Sequence, residues 1–449
     1  MKDARYPLEP LFGRILSPFE QFLRRTTAGG IVLIVTTIVA LALAMILGGD
    51  AIHRFTEQPV GLWAGGRFRL ELSLHQWVND GLMTLFFLVV GLELKREILV
   101  GELSSLKDAA LPVIAALGGM VLPALIYLAL NAGTPAASGW GIPMATDIAF
   151  AVGILVLLAW RIPRNLIIFL TALAIADDLG AVLVIAVFYT ADLKLWSLGT
   201  AAALFAILAL FNRGGVRHPL PYALTGVLLW LAVHDSGVHA TLAGILLAVA
   251  IPARPAHTPA RFERRIEELR EAFRADRRDE DTPDDPLSNQ RMASIAEAME
   301  RSATAVQSPL QRIEHRLTPW VTFAVIPVFA LSNAGIDLLA VSWRDALTHN
   351  VTLGVVSGLV VGKFAGISLF SWAAVRLGVA RLPAGVGWRH VLGAAWLAGI
   401  GFTMSLFIAQ LAFGAPELVE EAKLGILVGS ALSAAIGLAW LYWAGSRSN

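Results

Sequence analysis

The sequence contains no cysteine among its 449 residues, which excludes disulfides, thiol nucleophiles and thiolate metal ligands. It is also poor in charge: Asp, Glu, Lys and Arg make up 15% of the chain, against roughly 25% in soluble domains. The net charge of +1 excludes a strong attraction to nucleic acid. With 56% hydrophobic residues and a mean hydropathy of +0.67, the chain is predicted to be an integral membrane protein and not a disordered or cytosolic one.

Long apolar runs recur along the chain, and a helix needs about 20 such residues to cross the hydrocarbon core. The runs are continuous and not alternating, which favours helices over a β-barrel. The first is too long for the core of a cleaved signal peptide, so we expect it to be retained. We predict an all-α membrane protein with about twelve spans, the eighth being the shortest. They lie at 27–48, 80–99, 110–131, 140–159, 166–189, 195–212, 219–234, 238–252, 318–337, 351–375, 390–413 and 424–444.

The distribution of basic residues predicts the orientation. If the N-terminus is cytoplasmic, the short cytoplasmic segments hold 16 Lys and Arg residues and the external segments hold 6. This excess follows the positive-inside rule, so we expect both termini in the cytoplasm.

One segment departs from the membrane composition. Residues 254–316 carry 12 Arg and 13 acidic residues, and we predict a charged cytoplasmic insert between two membrane parts, 1–253 and 317–449. Its first half has apolar residues at helical spacing and is predicted to form an amphipathic helix. From Arg274 to Asp285 the charges and prolines favour disorder. The insert is either a solvated connection without chemistry or a docking and regulatory element.

A second local pattern lies between the first two spans. Polar and apolar residues alternate over 67–72, directly after two glycines. Because alternation of this kind is typical of a strand beside a turn, it predicts an external β-hairpin.

Four ionisable residues fall in the middle of predicted spans, where a charge costs a few kcal/mol and usually marks a pathway or a site. Asp147 lies in span 4, Asp177 and Asp178 in span 5, and Lys363 in span 10. Adjacent residues of a helix point about 100° apart, so the paired aspartates cannot both face one partner. One carboxylate is therefore expected to bind a cation and the other Lys363. A purely structural ion pair is the alternative.

Glycine and proline interrupt two of the spans. Gly139, Gly141 and Pro143 precede Thr146 and Asp147 in span 4, and Gly399 and Gly401 interrupt span 11. Spans 4 and 11 are equivalent if spans 3–5 and 10–12 are inverted repeats. We therefore predict two discontinuous helices that cross in mid-membrane, with glycine-mediated close packing as the alternative.

Seven short motifs occur in order along the chain, at 87–97, 145–150, 173–180, 236–241, 333–336, 362–363 and 399–405. In sequence and order they resemble those of the NhaA-type sodium/proton antiporters. The resemblance covers nearly the whole chain, and the insert is longer than in a typical member.

The resemblance implies specific roles for these residues. Asp177 and Asp178 bind Na⁺ or protons, with Asp178 the more direct ligand. Lys363 pairs with Asp177 or interacts with Asp147, and Thr146 and Asp147 line the site. The family also has a pH-sensing entrance, and its residues correspond here to Glu93, Glu97, Glu314 and His315. From the residues alone, anchoring at the membrane interface is the favoured interpretation of these surface charges.

The activity implied is secondary antiport, not enzymatic catalysis. Cytoplasmic Na⁺ or Li⁺ exchanges for external H⁺, electrogenically, under pH control and without a cofactor. The location implied is the bacterial inner membrane, where the chain contacts lipid and forms a homodimer.

The same residues leave three rival functions open. Buried aspartates also serve intramembrane aspartyl proteases, although adjacent carboxylates diverge. A Mg²⁺ site for prenyl diphosphates needs further acidic partners, and a passive cation channel would lack proton coupling. The chain has no phosphate-binding loop of the G-x-x-x-x-G-K-[ST] type, so ATP-driven transport is not expected.

Overall fold

The computed structural model describes residues 26–64, 68–190, 193–278, 289–336 and 348–445, and this part of the chain is almost entirely helical. Helical residues lie at each of the twelve predicted spans. The helices of the first half are α1 (Thr26–Leu47), α2 (Gly49–Thr56), α3 (Leu74–Gln76), α4 (Met83–Val100), α5 (Leu106–Asn131), α6 (Ile148–Leu157), α7 (Arg164–Phe188), α8 (Leu195–Arg213), α9 (Pro219–Asp235) and α10 (Leu242–Ala250). Those of the second half are α11 (Pro259–Arg278), α12 (Gln290–Val306), α13 (Pro309–Trp320), α14 (Ile326–Asn333), α15 (Asn350–Ser357), α16 (Lys363–Arg376), α17 (Trp388–Leu397), α18 (Phe402–Ala412) and α19 (Pro416–Gly445).

Four helical stretches of other geometry complete the spans. A 3₁₀ helix precedes α6, and single π-helical turns join α3 to α4, α13 to α14 and α15 to α16. Such turns within helices are common at functional positions. Their bounds are Pro135–Met144 for the 3₁₀ helix and Trp77–Leu82, Val321–Val325 and Gly358–Gly362 for the π turns.

Within the described residues, seven helical stretches are long and apolar enough to cross a bilayer, and the bent pair α17–α18 raises this number to eight. The predicted all-α membrane class is confirmed. The spans predicted at 80–99, 219–234, 238–252 and 318–337 are helical but are shorter, more charged or interrupted. The total of twelve therefore stays a prediction.

The predicted hairpin is present as two antiparallel strands, β1 (Pro59–Ala64) and β2 (Phe68–Ser73). Their register pairs Pro59 with Ser73 and Ala64 with Phe68. The connecting residues 65–67 lie outside the described ranges. So do the basic residues before position 26, Arg344 and Arg447, which contributed to the orientation count.

Glycines bring α5 and α16 into backbone contact. A methyl group built on Gly118 would lie 2.3 Å from the carbonyl oxygen of Gly366. One built on Gly362, the last residue of the π turn before α16, would lie 2.7 Å from the Cα of Pro123. Without side chains at these positions the two helices approach closely, as small residues permit in membranes. This packing places Lys363, the first residue of α16, in the protein interior.

The insert contains two antiparallel helices, α11 and α12. The predicted amphipathic helix is present as α11, which packs against α12 and in which Leu269 is buried. The prediction of disorder from Arg274 onward is wrong for residues 274–278, because α11 continues to Arg278. The reason is the buried Asp276 carboxylate, which accepts a hydrogen bond of 2.6 Å from Asn289 and lies 3.6 Å from the Arg291 guanidinium. Residues 279–288 lie outside the described ranges.

Candidate functional site

Two broken spans cross in the interior of the molecule. The 3₁₀ helix Pro135–Met144 ends in extended backbone before α6, and α17 and α18 meet at an angle of 47°. The N–H of Asp147 donates to the carbonyl oxygen of Ile400 at 2.7 Å. The hydroxyl of Thr146 donates to the carbonyl oxygen of Ala398 at 2.9 Å. The two discontinuous helices predicted for spans 4 and 11 are therefore present, and their breaks bind each other.

Asp147 caps both half-helices at this crossing. Its Oδ1 accepts a hydrogen bond from the N–H of Phe150 at 3.0 Å, which makes it the N-cap of α6. Its Oδ2 accepts from the N–H of Thr403 at 3.1 Å and from the hydroxyl of Thr403 at 2.5 Å, in the first turn of α18. A carboxylate is favourable here because helix N-termini carry partial positive charge. Both oxygens of Asp147 are thus occupied by helix ends.

Lys363 joins the crossing to α7. Its ammonium group donates to Asp177 Oδ2 at 2.7 Å and to the Thr146 hydroxyl at 2.8 Å, and both charged side chains are fully buried. Of the two partners that the sequence left open for Lys363, the structure shows Asp177. The lysine therefore connects the carboxylate-bearing helix to the break in span 4.

Two carboxylate oxygens at the centre of α7 have no hydrogen-bond partner within the described residues. They are Oδ1 of Asp177 and Oδ1 of Asp178, and both side chains are at most 1% exposed. A buried polar atom without a partner costs free energy and calls for an explanation such as a bound ion or proton. Hard oxygen donors suit Na⁺ and Li⁺, and either carboxylate binds a proton as an alternative. The pair can therefore exchange one cation for the other.

A second charged group lies at one end of α4. The Arg96 guanidinium lies 3.2 Å from Glu97, 4.0 Å from Glu93 and, across to α13, 3.3 Å from Glu314. Burial raises the pKa of Glu314 above its ordinary value, while Arg96 opposes this shift. His315 is exposed, and its ring contacts the carbonyl oxygen of residue 311 of its own helix. Three of the four predicted sensor residues therefore meet around one arginine.

The geometry bears on two of the rival functions. An aspartyl dyad needs two free carboxylates that converge on one water, but Asp147 caps two helices and Asp177 pairs with Lys363. Within the described ranges, no group of three or more His, Cys, Asp or Glu side chains is arranged to hold a metal ion. In the part of the chain that the structure describes, neither enzymatic site has the side chains that it requires.

Several polar residues contribute to this site without having been assigned a role from the sequence. Thr403 and Ser405 lie in the motif at 399–405 of span 11. A hydroxyl side chain just after the glycine break was the sequence feature that could have identified them. Ser405 donates to the carbonyl oxygen of Ile142 at 2.7 Å. Tyr189 bonds the 3₁₀ helix from the end of α7, and only the folded chain brings these two segments together.

Comparison with known proteins identifies close relatives. The family model described as Na⁺/H⁺ antiporter 1 matches residues 20–441. The Na⁺/H⁺ antiporter NhaA of Syntrophobacter fumaroxidans is 66% identical over 447 residues, which cover 100% of this chain and 94% of that protein. The protein of the same name from Acidithiobacillus ferrooxidans is 61% identical over 433 residues, covering 95% and 98%.

A solved structure also matches over most of the chain. It is the sodium proton antiporter MjNhaP1 from Methanocaldococcus jannaschii at pH 8, at 16% identity, covering 98% of this chain and 95% of that one. The TM-score of 0.44 is too low for this similarity to inform the fold.

Proposed function

The chain belongs to the Na⁺/H⁺ antiporter 1 family, and we infer from this premise that it is a secondary transporter that exchanges Na⁺ for H⁺. It is a multi-pass membrane protein and not an enzyme. The observation that carries the proposed mechanism is the buried pair Asp177 and Asp178, each with one carboxylate oxygen that has no partner in the described part of the chain. Na⁺ and H⁺ are the substrates, and the mechanism needs no cofactor.

The proposed chemistry is competition for the same carboxylates. Asp178 binds Na⁺ or Li⁺ most directly, because no residue in the described ranges forms an ion pair with it. Asp177 contributes its free oxygen and exchanges its contact with Lys363 as the occupant changes. A carboxylate that coordinates Na⁺ is deprotonated, so binding of one cation requires release of the other. The electrochemical gradients of Na⁺ and H⁺ are then the only source of energy, and they drive transport in either direction.

Asp147 and Thr146 support this site from the crossing of the broken spans. Their hydrogen bonds hold the break in span 4 against that in span 11, and Thr146 also accepts a hydrogen bond from Lys363. Movement of one helix bundle against the other around the fixed crossing then exposes the carboxylates to each side in turn.

Three finer properties belong to the same proposal. The exchange is electrogenic, with more protons than sodium ions per cycle, so an imposed membrane potential would change its initial rate. Its location is the inner membrane of a bacterium with both termini cytoplasmic, which the excess of 16 over 6 basic residues supports. Two copies associate through the β1–β2 hairpin, and deletion of the hairpin would convert a dimer to a monomer in size-exclusion chromatography.

We also propose that the group around Arg96 adjusts activity to pH. Glu93, Glu97 and Glu314 contact this arginine from α4 and α13, and His315 follows directly. Loss or gain of a proton by one acid changes how strongly Arg96 holds the two helices together. The pH profile of antiport in a Glu314→Gln variant tests this, and an unchanged profile would reject it.

Everted membrane vesicles test the transport mechanism directly. Acid-loaded vesicles should release protons when Na⁺ is added, and Asp178→Asn should abolish this release. Asp235→Asn is the matched control, because Asp235 lies at the end of α9 and pairs with Lys194 at the surface. Proton release without Na⁺ would indicate a passive channel or leak. Full sodium-dependent release in Asp178→Asn would contradict the proposed site.

A further inference from the structure

Tyr189 lies directly after α7 and reaches the broken span 4. Its hydroxyl donates to the carbonyl oxygen of Ser138 at 2.8 Å and accepts from the N–H of Gly141 at 3.2 Å. In a regular 3₁₀ turn these two backbone groups bond each other, because the N–H of each residue bonds the carbonyl three residues earlier. The phenol hydroxyl therefore bridges the two groups of one 3₁₀ turn.

The glycine at position 141 makes this bridge possible. A Cβ atom built on Gly141 would lie 2.7 Å from the Tyr189 hydroxyl oxygen, closer than van der Waals contact allows. Gly141 is buried, whereas Ser138 is exposed. Water can replace the bond to Ser138 if the hydroxyl is lost, but water does not reach the buried N–H of Gly141, which keeps only the bonds of its own helix.

The bridged turn leads directly to the crossing. Ile142 follows Gly141, and its carbonyl oxygen accepts the hydrogen bond from Ser405 of α18. The chain then reaches Thr146 and Asp147, which bind Lys363 and the first turn of α18. Tyr189 itself ends the helix that carries the aspartate pair. One side chain thus fixes the path of span 4 relative to α7.

We propose that Tyr189 is a positioning residue for antiport, whose hydroxyl ties the 3₁₀ turn at Ser138 and Gly141 to the end of α7 so that span 4 delivers Thr146 to Lys363 in the geometry that binds the cation. This inference rests on the proposed ion site at Asp177 and Asp178. Removal of the hydroxyl takes away both hydrogen bonds between the end of α7 and this turn, which lets the residues that follow shift relative to α7. The effect belongs to the affinity for Na⁺ more than to folding, because Ser138 and Gly141 remain within their own 3₁₀ helix.

The chain offers a matched control in Tyr127. Its hydroxyl donates to the carbonyl oxygen of Ala136 at 2.9 Å, in the same 3₁₀ helix but farther from the break. The Tyr127 hydroxyl thus bonds one backbone group and does not connect two groups of a turn. In both Tyr→Phe variants the backbone contacts remain, including that between His239 and the carbonyl oxygen of Tyr189.

The experiment measures sodium-dependent proton release in everted vesicles over a range of Na⁺ and Li⁺ concentrations, with the melting temperature of each purified variant. Tyr189→Phe should raise the KM for Na⁺ roughly tenfold, the change expected for about one net hydrogen bond, with the maximal rate within about twofold of wild type. Tyr127→Phe should leave the KM unchanged. Gly141→Ala should raise the KM as well, because its methyl group displaces the hydroxyl.

The double variant separates positioning from general damage. If Gly141 serves the hydroxyl, adding Gly141→Ala to Tyr189→Phe should raise the KM little further. An unchanged KM in Tyr189→Phe, an equal rise in Tyr127→Phe, or full additivity in the double variant would each overturn the inference. Asp178→Asn in the same vesicles reports separately on the ion site. If it is inactive while Tyr189→Phe keeps its KM, only the role of Tyr189 fails.

Discussion

The four buried charges differ in how fully their side chains are bonded. Both oxygens of Asp147 accept hydrogen bonds from helix N-termini, and Lys363 is shared between Asp177 and Thr146. Asp177 and Asp178 each keep one oxygen without a partner in the described residues. The sequence identified all four, because charge in an apolar run is conspicuous. The hydrogen bonds that distinguish the capping carboxylate from the pair could not be predicted from the sequence, since Lys363–Asp177 and Asp147–Thr403 join residues 186 and 256 positions apart.

The buried ion pair between Lys363 and Asp177 predicts a large loss of stability when the lysine side chain is truncated. Lys363→Ala leaves the Asp177 carboxylate buried without a cation, which costs roughly 3–5 kcal/mol. The purified variant should therefore melt well below wild type, and the additional change Asp177→Asn should restore part of the difference. A Lys363→Ala variant with the wild-type melting temperature would show that the ion pair does not stabilise the fold.

The burial of Glu314 predicts that the difference in stability between wild type and Glu314→Gln depends on pH. Burial raises its pKa above the ordinary value of 4.5, so the folded protein binds this proton more tightly than the unfolded chain. The resulting stabilisation is fully present below the ordinary pKa and is lost as the pH rises through the raised pKa. Glu314→Gln has no proton to lose, and its melting temperature relative to wild type should rise over the same pH window. Arg96, Glu93, Glu97 and His315 are the charged and titratable groups around this side chain.

Thermal melts of wild type and Glu314→Gln from mildly acidic to mildly alkaline pH check this, with Glu300→Gln as the control on the exposed face of α12. A difference that is constant with pH, or that falls as the pH rises, would contradict the burial of Glu314.

At the level of elements, the breaks in spans 4 and 11 follow from local sequence, because glycine and proline weaken helices wherever they occur. The β1–β2 hairpin was likewise predicted from local sequence, by the alternation of polar and apolar residues. The three π-helical turns were not predicted, since their residues have ordinary helical composition. The second insert helix, α12, was also missed, because it is stabilised by packing against α11 and by the contacts of Asp276.

Lys95 caps the C-terminal end of α10, and its replacement tests how much this cap stabilises the protein. Its ammonium group donates to the carbonyl oxygens of Ala248, Val249 and Ile251 at 3.3, 2.6 and 2.5 Å, at the C-terminus of α10. A cation there satisfies carbonyls that have no helical partner and complements the helix dipole. Lys95→Ala should destabilise the protein by about 1–3 kcal/mol in a thermal melt. Lys107→Ala, at an exposed position in α5, should have almost no effect. Equal melting temperatures for the two variants would exclude this capping role.

On the scale of the whole molecule, adjacent residues of α4 hold both ends of the insert. Lys95 binds the backbone just before it, and Arg96 pairs with Glu314 at its end. Within the insert, the backbone N–H groups of Ala256 and His257 both donate to the carbonyl oxygen of Ala305, which joins its two ends. The insert is therefore anchored at both ends, and the two interpretations of its role, a solvated connection without chemistry and a docking and regulatory element, both stay predictions. The sequence predicted the class of fold and the membrane location, because both depend on composition.

The central claim is that Na⁺ and H⁺ compete for Asp177 and Asp178, and calorimetry of Na⁺ binding to the purified protein tests it most directly. Titrations in buffers of different ionisation enthalpy measure how many protons leave as Na⁺ binds. For wild type the binding enthalpy should change with the buffer, showing that protons are released, and Asp178→Asn should give no binding. Sodium binding without proton release, or equally tight binding to Asp178→Asn, would contradict the account.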